Sequence, residues 1–143
     1  MKKSIALLAI LAFIVLTVPI TAKEYIPLSR AKITLMEDNL IFGLSANNIG
    51  VQRSCALLLG KLQSDKAVVS LMAIFYYHTD ENVRIAAAWA LCRIGDMRGV
   101  DLVKIAAKND VSSRVQATCA SYYENIKKEG KFSLAQPEGT NIK

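Results

Sequence analysis

The sequence predicts an all-α protein, a short α-solenoid of about three stacked helix pairs placed after an N-terminal export signal. Three observations predict it. A basic start and an apolar run open the chain, a gapless repeat returning at Val51, Val83 and Val115 follows, and the same cap chemistry recurs at the same spacing.

The N-terminal segment comes first. Lys2 and Lys3 precede an apolar run from Ile5 to Ile20, interrupted by Thr17 and Pro19, and Thr21-Ala22 places a small residue at a cleavage position. The run is slightly longer than a usual signal core and shorter than the roughly 20 residues a spanning helix needs. The expectation is a signal peptide over residues 1–22, cut after Ala22, and a periplasmic or secreted address; an uncleaved membrane anchor is the alternative. The first cysteine is Cys55, so no lipoprotein junction follows the run. Removing Lys2 and Lys3 leaves 16 basic and 12 acidic residues, a net charge of +4. That field is too mild to mark a nucleic-acid binder.

The repeat occupies the middle of the chain. Segments from Val51, Val83 and Val115 match at Gln52/Arg84/Gln116, Cys55/Ala87/Cys119, Ala56/Ala88/Ala120, Leu59/Leu91/Tyr123 and Leu62/Ile94/Ile126. Their apolar positions recur at three- and four-position steps, as one side of a helix requires. Asn48, Asp80 and Ser112 share the spacing, and each is a side chain that accepts from the free N–H groups of a first helical turn. Shorter periodic stretches, 33–45, 66–78 and 98–108, supply the partner helices. Breaks at Asn47-Asn48, Gln63-Ser64-Asp65, Thr79-Asp80, Gly95-Asp96 and Asn109-Asp110 have loop and cap chemistry. A helix pair of this kind cannot bury its apolar face alone, and three pairs are about the minimum for a stable stack. The predicted organisation is a repeat domain over 23–126 and a disordered tail over 127–143, where Lys, Glu, Gly, Gln and Pro dominate.

The run from Asp80 to Asp96 (Asp-Glu-Asn-Val-Arg-Ile-Ala-Ala-Ala-Trp-Ala-Leu-Cys-Arg-Ile-Gly-Asp) resembles the HEAT-like repeat first described in phycobilin lyases. That pattern has Asp, Val-Arg, an alanine-rich turn, Ala-Leu-Gly and Ile-Gly-Asp. Cys92 stands where glycine is usual, and Gln116 replaces the arginine in the third repeat. The resemblance spans residues 33–126. It implies the fold and is nearly silent on function, because the family holds lyase subunits, maturation factors and adaptors. It also implies that the second helix of each pair lines a concave surface.

Spacing places Val83, Ala87, Leu91 and Ile94 on the core side of the middle Val-Arg helix, and Ile85, Trp89 and Arg93 on another side. Shifting by one repeat adds Arg53, Leu57 and Lys61 in the first, and Ala117, Ser121 and Asn125 in the third. These residues form the expected partner-binding face. Trp89, read as solvent-facing and flanked by Arg93, Arg53 and Lys61, has the composition of an interface hot spot; packing against a neighbouring segment is its other reading.

Other residues read as structural. Arg84, in the first turn after the capping Asp80, is expected to bond along the array and tie repeats together. Cys55 and Cys119 fall two repeats apart, on the order of 20 Å at ordinary helix spacing, beyond the ~7 Å that a disulfide spans. Cys92 lies off their row, so three free thiols are expected. His78, the single histidine, reads as a helix-end residue, and Glu37-Asp38 as a solvated pair. There is no phosphate loop, nucleophile elbow or metal-ligand spacing in the sequence.

The function expected is therefore an exported, non-enzymatic adaptor or scaffold that binds a protein partner, with no cofactor, no metal, no nucleic acid and no membrane contact beyond the signal segment. The alternatives are a lyase-like enzyme subunit, a weak nucleic-acid or anionic-ligand binder using Arg53, Lys61 and Arg93, and a homo-oligomer. The last would pair uncapped ends through Leu40, Ile41 and Phe42 or through Tyr122-Tyr123.

Overall fold

The computed structural model describes residues 29–134 and 136–137; the signal segment predicted over 1–22 and the end of the tail lie outside them. Six α-helices occupy the described residues, with no strand: α1 Arg30–Gly43, α2 Ile49–Leu62, α3 Val68–Tyr77, α4 Glu81–Ile94, α5 Met97–Asn109 and α6 Ser113–Glu129. A 3₁₀ turn, Asp65–Ala67, leads into α3. The helices pair as α1/α2, α3/α4 and α5/α6, and the three second helices pack side by side as an inner row with α4 in the middle.

The predicted caps start this inner row. Asn48 Oδ1 accepts from the Val51 N–H at 3.0 Å, Asp80 Oδ1 from Asn82 and Val83 at 2.8 and 3.1 Å, and Ser112 Oγ from Val115 at 3.3 Å. The helices stop in the left-handed region, at Gly95 (φ 82°) and Gly130 (φ 68°), where glycine carries no Cβ penalty. Repeat one puts Gln63 at that position (φ 51°), a conformation costing a side chain ~1–2 kcal/mol. Gln63 offsets part of this by donating Nε2–H to the Arg93 carbonyl at 3.0 Å, which also braces the ends of α2 and α4.

Small residues set how closely the rows approach. A Cβ on Gly60 would lie 2.7 Å from Ala90 Cα, and one on Gly99 would lie 2.8 Å from a Leu91 methyl. Glycine therefore lets α2 and α5 press directly against α4. The alanine-rich turn does the same from the other side, since Ala86, Ala87, Ala88 and Ala90 are fully buried. Around them Leu59, Leu71, Leu91, Val83, Val103 and Val115 fill the core, each contributing about 1.5–3 kcal/mol of burial.

A buried polar ladder joins successive repeats. Arg84 grips Asp110 through two bonds, Nη2 to Oδ1 at 2.9 Å and Nε to Oδ2 at 3.3 Å, and its Nη1 donates to the carbonyls of His78 and Thr79. Asp80 is not its carboxylate partner, because both Asp80 bonds go to its own helix start. One repeat earlier, Gln52 and His78 stand in for Arg84 and Asp110. His78 Nδ1 accepts from the Asp80 N–H, so Nε2 donates to Gln52 Oε1 at 2.8 Å. Asp110 Oδ1 likewise accepts from the Ser112 N–H. The third member, Gln116, donates instead to the Asp110 carbonyl of its own repeat.

The described residues carry the last helix beyond the boundary placed at Ile126. α6 runs to Glu129, and after Gly130 the chain folds back onto the inner row. Lys127 and Lys128 sit in the last turn of α6, where cations are favoured by the helix dipole. Polar composition at this point coincides with the end of α6.

Candidate partner-binding face

The predicted face splits by repeat. In α2, Arg53 and Leu57 are half-buried and Lys61 is exposed; in α6, Ser121 is exposed and Asn125 half-buried; in α4, Arg93 is exposed. Ile85 and Trp89 are not open to solvent, and Trp89 is 3% exposed. The division of α4 into core and open sides does not hold, because every residue from Val83 to Cys92 is buried. A period-3.6 pattern marks the apolar sides of a helix, but not how many neighbours will cover the remaining side.

The covering element is the returning tail. Asn125 of α6 accepts from the Ser133 N–H at 2.9 Å and donates to its hydroxyl at 3.1 Å. Trp89 of α4 donates its indole N–H to the Leu134 carbonyl at 3.3 Å. Arg53 of α2 donates to the Pro137 carbonyl at 3.1 Å. The segment thus crosses the inner row from α6 over α4 to α2, one hydrogen-bonding side chain per helix. Phe132 anchors it, buried edge-on against Trp89 (centroids 6.3 Å) and Tyr122 (5.3 Å). Three residues of the predicted face are brought to one chain segment, and that segment belongs to the protein itself. The one sequence signal for this was Phe132 with Leu134, apolar residues in an otherwise polar tail.

Two clefts remain. One, of about 590 Å³, opens on the opposite side between α3 and α5, with Phe75, Ile105 and Ala106 on its walls and the Arg84–Asp110 pair in its lining. Its rim carries Tyr76, Tyr77 (79% exposed) and Val111 (97% exposed), which helical spacing did not single out. The other, of about 640 Å³, lies where the tail turns, between Arg93, Met97, Ile126 and Lys131.

Cys55, Cys92 and Cys119 are free and buried. Burial pushes the Cys119 thiol up to about 12, and burial together with nearby Cys119 does the same for Cys92. These are protonated, inert core groups at neutral pH. Tyr122, also raised by burial, is a core residue beneath Phe132, so it is not available for pairing between chains; Tyr123 lies half-buried under Lys104. At the other end Phe42 is open, while Leu40 and Ile41 are half-buried. His78 is engaged on both ring nitrogens, and its Asp80 contact is a backbone N–H rather than a carboxylate. Among the described residues no cluster of His, Cys, Asp and Glu has the arrangement of a metal site, and no helix is long and apolar enough to cross a membrane.

A family model of HEAT repeats matches residues 37–123, from within α1 to within α6. The chain belongs to the HEAT-repeat family. Neither curated proteins nor solved structures give a match. HEAT repeats commonly mediate protein–protein interaction or scaffolding and are generally non-catalytic. In this HEAT-repeat protein, α2, α4 and α6 are the inner helices that would present such a surface.

Proposed function

We propose that the protein is an exported adaptor that holds a protein partner against its inner helix row. The observation that carries this is the face itself. Arg53, Trp89 and Asn125, one from each inner helix, already hold a chain segment that is neither helix nor strand where described. On the same three helices Lys61, Arg93 and Ser121 stay exposed and Leu57 half-exposed, which adds polar and basic groups to the row. A repeat array offers such a surface by construction. The signal-like residues 1–22 support an address outside the cytoplasm. The likeness of Asp80–Asp96 to lyase-type repeats enters as kinship of the repeat, with no reaction attached.

Crosslinking capture from the cell envelope tests the proposal, comparing wild type with a Lys61→Ala, Arg93→Ala double variant. Both side chains are exposed and outside the core, so equal helical circular dichroism is expected. A partner captured by wild type and lost or strongly reduced in the variant supports the inner row. Equal capture by both moves the site elsewhere.

A specific observation favours a second location for the same adaptor role. Tyr76, Tyr77, Ile105 and Val111 make an exposed apolar rim around the α3–α5 cleft, and aromatic patches of this kind are enriched at interfaces. Equal capture by the first pair of proteins, followed by loss in Tyr77→Ser, Val111→Ser, would place the partner there.

A further inference from the structure

We propose that the inner row is an extended-peptide site which residues 132–134 and 136–137 occupy in cis, so that a partner must displace the tail to bind. This rests on the inner-row reading above and specifies its ligand. The tail contacts the row in the way a peptide ligand would. Trp89 and Arg53 both donate to main-chain carbonyls, of Leu134 and Pro137, and such bonds do not depend on the identity of the side chains they hold. Asn125 reads the backbone N–H of Ser133. Side-chain selection comes from Phe132, seated between Trp89 and Tyr122, and from Leu134, partly buried against the same core.

The attachment is also built to open. Phe132 is buried, but Ser133 is exposed and Leu134, Gln136 and Pro137 are only partly covered, unlike the closed core of α4. A segment with few buried apolar groups opens at far lower cost than the fold as a whole. Arg93 lines the same cleft as Phe132 and Ser133, Lys61 is exposed on α2, and neither makes an ion pair among the described residues. The ligand the site fits is therefore an extended segment with an aromatic residue two positions before an aliphatic one, bearing carboxylates that reach Lys61 and Arg93. While the tail is seated, affinity for such a segment falls by the fraction of time the site is open.

Trp89 is the single tryptophan of the chain, so its fluorescence reports the tail directly. In wild type its emission should be blue and poorly quenched by acrylamide. Phe132→Ala should shift it red and raise quenching severalfold with the helical spectrum unchanged. A synthetic peptide of residues 131–137 added in trans should reverse both, and bind this variant at least about tenfold more tightly than wild type. The same peptide with alanine in place of its phenylalanine should not. A Trp89 that stays shielded in Phe132→Ala overturns the proposal, as does an exposed Trp89 that the peptide fails to cover. Wild type that sediments as a dimer and loses Trp89 shielding on dilution overturns cis occupancy in favour of exchange between copies. Should Phe132→Ala lose its helical spectrum, Leu134→Ala is read in the same way, and absence of any red shift or peptide rescue there overturns the idea. Peptide binding without envelope capture would remove the adaptor function and leave the site; capture without peptide binding would do the reverse.

Discussion

Helices α1 and α4 are equal in length, yet α4 is buried from Val83 to Cys92 and α1 buries no residue at all. The difference lies in their neighbours. α4 is packed by α2, α3, α5 and α6 and is roofed by the tail at Trp89, whereas α1 touches chiefly α2 and the 3₁₀ turn. α1 accordingly leaves Leu35 and Phe42 63% and 83% exposed. α4 needs alanine at four positions to admit its neighbours, and α1 can carry bulky residues because none of the described residues packs on its outer side. A terminal helix and a central helix of a stack obey different packing rules even when their apolar spacing is alike.

The ladder between repeats should show the largest contrast. Arg84→Ala strands Asp110 in a buried setting and is expected to cost about 3–5 kcal/mol. Gln52→Ala removes a neutral, part-buried partner of His78 and should cost about 1 kcal/mol. Urea unfolding of both variants checks the pair, and equal costs would mean that the charged rung holds the array no better than the neutral one. Core truncation comes next. Leu91→Ala in α4 should lose about 2–5 kcal/mol, and Leu35→Ala in α1 should stay within about 0.5 kcal/mol. A large effect at Leu35 would show that some further chain covers α1 in solution.

The smallest effect expected is alkaline. The Cys92 and Cys119 thiols are raised from 9.0 to about 12 in the fold, so above pH 9 the unfolded chain releases protons that the native chain keeps. Their contribution is complete below pH 9 and is lost as the pH rises toward 12, on the order of 1 kcal/mol per thiol one unit above 9. Melting curves between pH 8 and 10.5 should show the decline, and Cys119→Ala should flatten part of it. Cys55, whose sulfur faces Gly43 of the thinly covered α1, should be the first of the three to react with iodoacetamide.

Much of the fold was legible because its signals are local. Asn48, Asp80 and Ser112 were readable as caps, since a cap is a bond between a side chain and the next turn. The recurrence of the Ala87 and Leu91 positions from one repeat to the next located the inner helices for the same reason. The site was legible only in part. Arg53, Trp89 and Asn125 were grouped on one face by shifting along the repeat, and all three bond to the tail, but Trp89 was expected in solvent. Phe132 and Leu134 lie across a sharp turn at Gly130, and periodicity within a helix carries no information about what crosses it. Arg84 was legible as a tie between repeats, but its partner Asp110, which lies beyond the whole of α5, was not.

The sequence by itself determined the all-helical repeat, its period, the starts of the inner helices and which of their residues share a side, because all of these follow from spacing along one helix. Only the tertiary structure decided which helix is closed on every side, which carboxylate meets Arg84, and that the tail lies over Trp89. Those outcomes depend on contacts between residues distant in the chain, whose strength is set by the packing of whole helices.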